Sequence, residues 1–338
     1  MHNQKQVISD LVQLSNLLSQ ENEALTAAIQ KTYNENPWLT TQNYWQAIDQ
    51  WKDLLNENEL TNFASDNFSQ TPKTVGIIMA GNIPLVGMHD LIVVLLSGNK
   101  ALVKPSSEDK HVITYLTNAL VSIDPRYIDY IEVTESLKHI DAIIATGSNN
   151  SFRYFEHYFS KIPRLLRKNR KSIAVLSGNE TDGELQALAD DIFTYYGLGC
   201  RNVSMVLKPE TLPTEKVLDN FAKYSSITDH NKYANNYIYH KALTLMNGEN
   251  HLDTGYLIVK FQNMVNAPLA CLNVIDYANT DEIDSFLNTH KQDIQCIVSN
   301  TFSNANVRLG QAQMPDLDDW ADHINTFDFL ENLTKVKV

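Results

Sequence analysis

The sequence predicts an α/β protein of two domains, each built on a parallel sheet with helices on both faces. Three observations predict it. From Thr74 onward, short β-rich runs alternate with amphipathic stretches, the order that parallel sheets require. The chain has 338 residues, enough for two cores at roughly 100–200 residues per domain. No repeat, low-complexity tract or long Pro/Gly linker interrupts it.

Residues 1 to about 60 read as helices. Ile8, Leu11, Leu14, Leu18 and Leu25 fall at the period of one buried helical stripe. Beyond Pro37 the pattern returns with Tyr44, Ile48, Trp51 and Leu55, and the tryptophans here are expected to anchor the packing. Residues 74–80 then read as a buried strand, and residues 84–97 as a helix opened by Pro84 and stopped by Gly98. Residues 101–103 form the next strand, and Ser106 is the expected N-cap of a helix running to about Val121. Strands at 130–133 and 141–145, a helix over about 150–160 and a strand at 172–176 follow. A helix carrying Leu185, Leu188, Ala189 and Ile192 runs to Gly197. A second α/β region has strands at 256–261, 270–275 and 296–299. The expected division is 1–175, 176–305 and a C-terminal segment, 306–338, packing back on the body.

Lys and Arg total 27 against 40 Asp and Glu, a net charge of -13, so no nucleic-acid partner is expected. Cys200, Cys271 and Cys296 are odd in number and widely spaced. They form neither a disulfide framework nor a zinc motif, and a reducing cytoplasm is the expected setting. Met1-His2-Asn3-Gln4-Lys5 leads into a polar amphipathic stretch rather than an apolar signal core. The longest strongly apolar run, 91–96, is far short of the ~20 residues of a spanning helix. A soluble protein without a membrane span is therefore expected.

Three strand-end loops and one loop after a helix carry polar chemistry. Gly81-Asn82-Ile83-Pro84 follows the first strand, where the Asn82 amide either donates to a developing oxyanion or caps the next helix. No G-x-G-x-x-G fingerprint accompanies it. Lys104-Pro105-Ser106-Ser107 ends the second strand, where a lysine reaches ribose hydroxyls or phosphate. Thr146-Gly147-Ser148 offers hydroxyl and backbone donors to a pyrophosphate. Gly197-Leu198-Gly199-Cys200-Arg201 places a thiol in a tight loop beside a guanidinium that could stabilise a thiolate. Cys271 and Cys296, in apolar runs, are expected to be core residues.

In this order the segments resemble the aldehyde dehydrogenase superfamily, and most closely its LuxC-type acyl-CoA reductases. Asn82-Ile83-Pro84, the run from Gly98-Asn99 to Lys104-Pro105-Ser106, Thr146-Gly147-Ser148 and Gly199-Cys200 carry the wider likeness. The narrower one rests on residues 81–87, the 172–176 strand, Cys200-Arg201-Asn202 and Gly310-Gln311-Ala312-Gln313-Met314-Pro315. The resemblance implies an aldehyde dehydrogenase-like fold, with a Rossmann-like cofactor domain and a catalytic domain. It implies Cys200 as nucleophile and Asn82 as oxyanion donor. Lys104, Ser106, Ser107, Thr146, Gly147 and Ser148 are then the cofactor contacts.

Two departures refine the expectation. Hydrolytic members carry a Glu general base in an E-L-G-G-K segment, where this chain has Arg167-Lys168-Asn169-Arg170-Lys171. Without a base to activate water, acyl-thioester chemistry is favoured over aldehyde oxidation to an acid. Many NAD-preferring members also have a Glu at the position of Ser107. Its absence removes a charge that would repel a 2′-phosphate, so NADPH is the expected cofactor, with NADH the alternative. The expected reaction is NADPH-dependent reduction of an acyl-CoA, fatty acyl above all, to an aldehyde through acyl-Cys200.

The alternatives are a hydrolytic dehydrogenase using Glu180 or Glu184, a phosphate-dependent semialdehyde dehydrogenase, and a noncatalytic cofactor-binding subunit. The cations Arg164, Arg167, Lys168, Arg170 and Lys171 either meet ligand phosphates or form a solvated connection. The superfamily commonly assembles through an added β-hairpin, and no hairpin pattern precedes Thr74. A homo-oligomer or a partner enzyme subunit stays open.

Overall fold

A computed structural model describes residues 3–333. The expectations for Met1, His2 and the last five positions of the C-terminal segment lie outside the described residues. The chain forms two compact units, residues 1–168 with 316–338, and residues 169–315.

The first unit opens with α1 (Gln4–Asn16), α2 (Glu23–Glu35), α3 (Thr41–Leu54) and α4 (Glu57–Phe63). Their starts are set by side-chain caps: Asn3, Asn22, Thr40 and Asn56 each accept an early helical N–H. Ile8, Leu11, Leu14, Leu18 and Leu25 are all buried. They do not share one helix, because the chain turns between Leu17 and Asn22 and Leu25 begins a new one. Tyr44 fills the centre of this layer, whereas Trp38, Trp45 and Trp51 are only half-buried.

The first sheet contains β1 (Thr74–Ile78), β2 (Lys100–Lys104), β3 (Ile131–Val133), β4 (Ala142–Thr146) and β5 (Arg164–Arg167). All pairs are parallel and the order is β3-β2-β1-β4-β5. The crossover helices are α5 (Met88–Leu96), α6 (Lys110–Ile123) and α7 (Asn149–Tyr158). Two helix starts differ from expectation. Helix α5 begins at Met88 rather than Pro84, because Leu85 has φ 60 and no helix passes through that angle. Helix α6 begins at Lys110 with Asp109 as its N-cap residue, so Ser106 is not the cap.

The second unit holds β6 (Lys171–Val175), α8 (Asp182–Phe193), β7 (Val203–Pro209), α9 (Thr214–Asp219) and α10 (Asn231–Met246). It continues with β8 (His251–Asp253), β9 (Ile258–Lys260), β10 (Cys271–Tyr277), α11 (Thr280–His290) and β11 (Ile294–Val298). The sheet order is β11-β6-β7-β10-β9-β8, parallel except for β8 on β9. Ile173, Val175, Met205, Leu207, Ile283 and Phe286 form one core under this sheet.

The sequence placed the 172–176 strand in the first domain. It instead belongs to the second unit, where β6 pairs with β7 and β11. The tail divides likewise, residues 306–315 lying in the second unit. Residues 316–333 return to the first, where Trp320 stacks on Phe63 at 5.3 Å and α12 (Thr326–Asn332) packs against α5.

Candidate functional site

Two sets of residues are assembled, one in each unit. In the first sheet, Ile78 is in register with Lys104 on one side and with Ala145 on the other. The carboxyl ends of β2, β1 and β4 therefore stand side by side. The order reverses between β1 and β4, and that switch point is where open α/β sheets bind ligands. A Cβ added to Gly81 would lie 2.5 Å from Ser106 Oγ, so only glycine lets the Asn82 loop approach the Lys104–Ser107 loop this closely.

Asn82 is exposed, and the N-cap of α5 is Gly87, so the capping alternative for Asn82 does not hold. Lys104 is half-buried, and no partner engages its ammonium among the described residues. Ser106 Oγ accepts the Glu108 N–H at 3.2 Å, and Ser107 is exposed. Ser148 caps α7 by accepting the Ser151 N–H at 3.2 Å. Thr146 ends β4, and Gly147 lies so close to Ser151 that a Cβ would meet it at 2.9 Å.

Beneath these loops lies a residue the sequence gave no reason to single out. Asp109 accepts the Leu85 N–H at 3.1 Å and the Tyr44 hydroxyl. Burial pushes its carboxyl up to about 7, against the opposing pull of those two hydrogen bonds. Asp109 thus ties the loop after β1 to the start of α6 and to the N-terminal helices.

In the second unit Cys200 sits at the amino edge of the sheet, on the loop entering β7 and beside the start of β6. Its thiol is half-buried and donates to Asn169 Oδ1 at 3.7 Å. Fully buried Asn202 anchors the loop. Its Oδ1 accepts the Gly199 N–H at 2.8 Å, and its Nδ2 donates to the carbonyls of Asp191, Ile192 and Thr194. Lys171 Nζ donates to the carbonyls of Gly197 and Gly199 at 2.6 and 3.0 Å. Ser172 Oγ donates to the Cys200 carbonyl at 3.2 Å.

Before this loop Tyr195 and Tyr196 both occupy the left-handed region, at φ 54 and 59. Such backbone persists in non-glycine residues only where the surroundings over-determine it, and it clusters at functional sites.

The Nε of Arg201, the cation expected beside the thiol, donates to the Ala312 carbonyl at 2.5 Å. Lys171 is a second cation at this loop. Burial lowers its affinity for a proton, and the electrostatic pull of Cys200 raises it, with burial prevailing. The sequence counted Lys171 only as one of five clustered cations, and the others make contacts of their own within the protein. Arg167 is buried against Asp90 at 2.5 Å and Thr326 at 2.9 Å. Lys168 lies over the Phe152 ring, and Arg164 bonds the Ser160 carbonyl.

Glu180 and Glu184 do not supply a base. Both follow the carboxyl end of β6, whereas Cys200 lies at the amino edge. Those edges are about 15 Å apart for a strand of this length. Glu180 accepts the N–H groups of Ser177 and Gly178, and Glu184 completes a capping box with Thr181. Cys271 and Cys296 are both buried, and burial pushes the Cys271 thiol up to about 11.

The sequence model of the acyl-CoA reductase (LuxC) family matches residues 43–219, more than half the chain and all the loops just described. The chain belongs to this family. Among curated LuxC-type relatives, it is 29% identical over 140 residues to long-chain acyl-protein thioester reductase 2 of Photobacterium leiognathi. That match covers 36% of this chain and 29% of the relative. It is 24% identical over 175 residues to the long-chain acyl-protein thioester reductase of Aliivibrio fischeri, covering 45% and 36%. The chain thus matches about a third of the length of these relatives.

The fold is that of the aldehyde dehydrogenases. The dehydrogenase KauB of Pseudomonas aeruginosa superposes with a TM-score of 0.71 at 14% identity, over 97% of this chain and 83% of that one. No helix among the described residues is long and apolar enough to cross a membrane.

Proposed function

We propose that this chain reduces an acyl thioester to an aldehyde through an acyl-Cys200 intermediate, with NADPH as the reductant. The observation that carries this reading is the surroundings of Cys200. A half-buried thiol stands on a loop fixed by Asn202 and Lys171, with an amide rather than a carboxylate beside its sulfur. The family's description names an acyl-CoA as donor, which supports coenzyme A as the carrier. The names of the two curated relatives favour a second carrier, a protein thiol, for the same chemistry.

In the first half, the Cys200 thiolate attacks the carbonyl carbon, and a new C–S bond forms as the bond to the carrier sulfur breaks. The carrier leaves as a thiol with the proton that Cys200 gave up. The Cys200 N–H and the Asn82 amide are the proposed donors to the transient oxyanion. Lys171 holds the Gly197 and Gly199 carbonyls, just ahead of the cysteine, in place. Asn169 has no basic atom to activate water, so the acyl-enzyme resists hydrolysis.

A bound nicotinamide cofactor would supply the hydride for the second half. The residues fit such a group: three adjacent strand ends, an unpartnered Lys104 ammonium and the N-terminus of α7 all face one edge of the sheet. Lys104, Ser106, Ser107, Thr146 and Gly147 would hold it. Ser148 would contribute through its backbone, its hydroxyl being engaged in capping α7. Reduction leaves a thiohemiacetal on Cys200, which collapses to the aldehyde and returns the thiol.

The test is NADPH oxidation with an acyl-CoA and with the same acyl group on a carrier protein, and the aldehyde product identified. Aldehyde formed by wild type and lost in Cys200→Ala is the expected result. Acid product, or activity that survives Cys200→Ala, overturns the reading.

A further inference from the structure

The segment Gly310-Gln311-Ala312-Gln313-Met314-Pro315 lies outside both sets of site residues, although it is part of the likeness to the LuxC-type enzymes. It belongs to the same unit as Cys200. One side chain, Asp191 of α8, holds its backbone. Asp191 Oδ2 accepts the Gly310 N–H at 2.6 Å, and Oδ1 accepts the Ala312 N–H at 2.8 Å. Gly310 lies against the same helix with φ 84, and an added Cβ would stand 2.8 Å from the Ala187 Cβ. Only glycine lets the segment seat this closely.

The Ala312 carbonyl in turn accepts Arg201 Nε at 2.5 Å, and the Asp191 carbonyl accepts Asn202 Nδ2 at 3.1 Å. Arg201 and Asn202 are the two residues that follow Cys200. A closed ring of bonds therefore joins them through Ala312 and Asp191. Asp191 and Ala312 are fully buried, so the bond that links them is shielded from solvent. A carboxylate is costly to bury, and both oxygens of this one are engaged by backbone that leads to the cysteine loop. An amide of the same shape would offer one acceptor and one donor, and its donor would oppose an N–H.

We propose that Asp191 is a positioning residue for Cys200, which holds Arg201 through Ala312 and so keeps the preceding sulfur and N–H in the orientation that acyl transfer requires. The proposal rests on the acyl-cysteine reading above. Attack on a thioester carbonyl depends on the placement of the sulfur and of the oxyanion donors, and a shift of about 1 Å costs about 100-fold. Alkylation of the same thiol by iodoacetamide uses no oxyanion donor and tolerates that shift. The two reactions together separate the placement of the sulfur from its exposure and ionisation.

The experiment uses the full chain at pH 8, where the Asp191 carboxyl, pushed up to about 7 by burial, is ionised. Intact mass follows acylation of Cys200 by acetyl-, octanoyl- and palmitoyl-CoA, and separately its alkylation by iodoacetamide. In Asp191→Asn, acylation should slow by about 10- to 100-fold while alkylation keeps the wild-type rate. Arg201→Met, which removes the Nε donor, should also slow acylation. The double variant should be no slower than the slower single one, because both changes act through Ala312. Where Asp191→Asn does not fold, Gly310→Ala lifts the segment off α8 with Asp191 intact, and the same slowing of acylation alone is expected.

A folded variant that acylates at the wild-type rate overturns the role of Asp191. So do acylation and alkylation that fall together, or effects of Asp191→Asn and Arg201→Met that simply add. Each of these leaves the acyl-cysteine reading standing. No adduct from any of the three donors in wild type overturns both.

Discussion

The two candidate edges of this chain are organised differently. At the carboxyl edge of the first sheet, close loop approach does the work. Gly81 meets Ser106, and three strand ends stand in register with mostly exposed or half-buried side chains. At the amino edge of the second sheet, buried and half-buried polar side chains do it. Asn202 alone makes four hydrogen bonds around the Cys200 loop, and Lys171 makes two more. The first edge suits a ligand that arrives with its own hydrogen-bonding groups. The second holds one sulfur in one place, as a nucleophile requires.

If that contrast is right, single substitutions act unequally at the two edges. Asn202→Ala should have the largest effect, because it orphans the Gly199 N–H and three carbonyls at once. We expect a loss of about 2–4 kcal/mol in chemical denaturation, and acylation slowed about 100-fold through misplacement of the sulfur. A variant that unfolds like wild type and acylates at an equal rate would remove the contrast.

Asp109→Asn comes next. The folded-state carboxyl titrates near 7, raised from an ordinary value of 3.8. Its contribution to stability is therefore full below the unfolded value and lost as pH rises through about 7. Asp191, also raised to about 7 by burial against the pull of the Gly310 and Ala312 N–H groups, adds in the same direction. Stability should fall between pH 4 and 8, and Asp109→Asn should flatten that slope. Equal slopes in the two proteins would show that Asp109 is not the titrating group.

The smallest expected effect is at the exposed edge. Ser107→Glu should leave stability within ~0.5 kcal/mol and shift cofactor preference from NADPH toward NADH by about tenfold. An unchanged preference would place the 2′-phosphate away from Ser107.

What the sequence made legible follows the same division. The strand ends expected at 80, 103 and 145 fall within two residues, at 78, 104 and 146, because strand alternation is a local signal. The helix starts at Pro84 and Ser106 were misplaced because their geometry is set at a distance. Leu85 is held at φ 60 while its N–H bonds to Asp109, 24 residues on. The tie of Arg201 Nε to the Ala312 carbonyl, 111 residues away, escapes a local reading for the same reason.

Three strands, β5, β7 and the short β8, also escaped a reading made from composition. Strand β5 carries arginines at both ends, and one of them, Arg167, is matched to Asp90 from another element. Strand β7 follows the Cys200 loop and becomes a central strand through β6 and β10 on its two sides. Charge counts do not show which cations will be buried with a partner.

The most direct measurement is the intact mass of the protein after mixing with an acyl-CoA in the absence of a reductant. The account predicts one acyl group added to wild type, mapped to Cys200 and absent from Cys200→Ala. An adduct that persists in Cys200→Ala, or none in wild type with any acyl thioester, would contradict it.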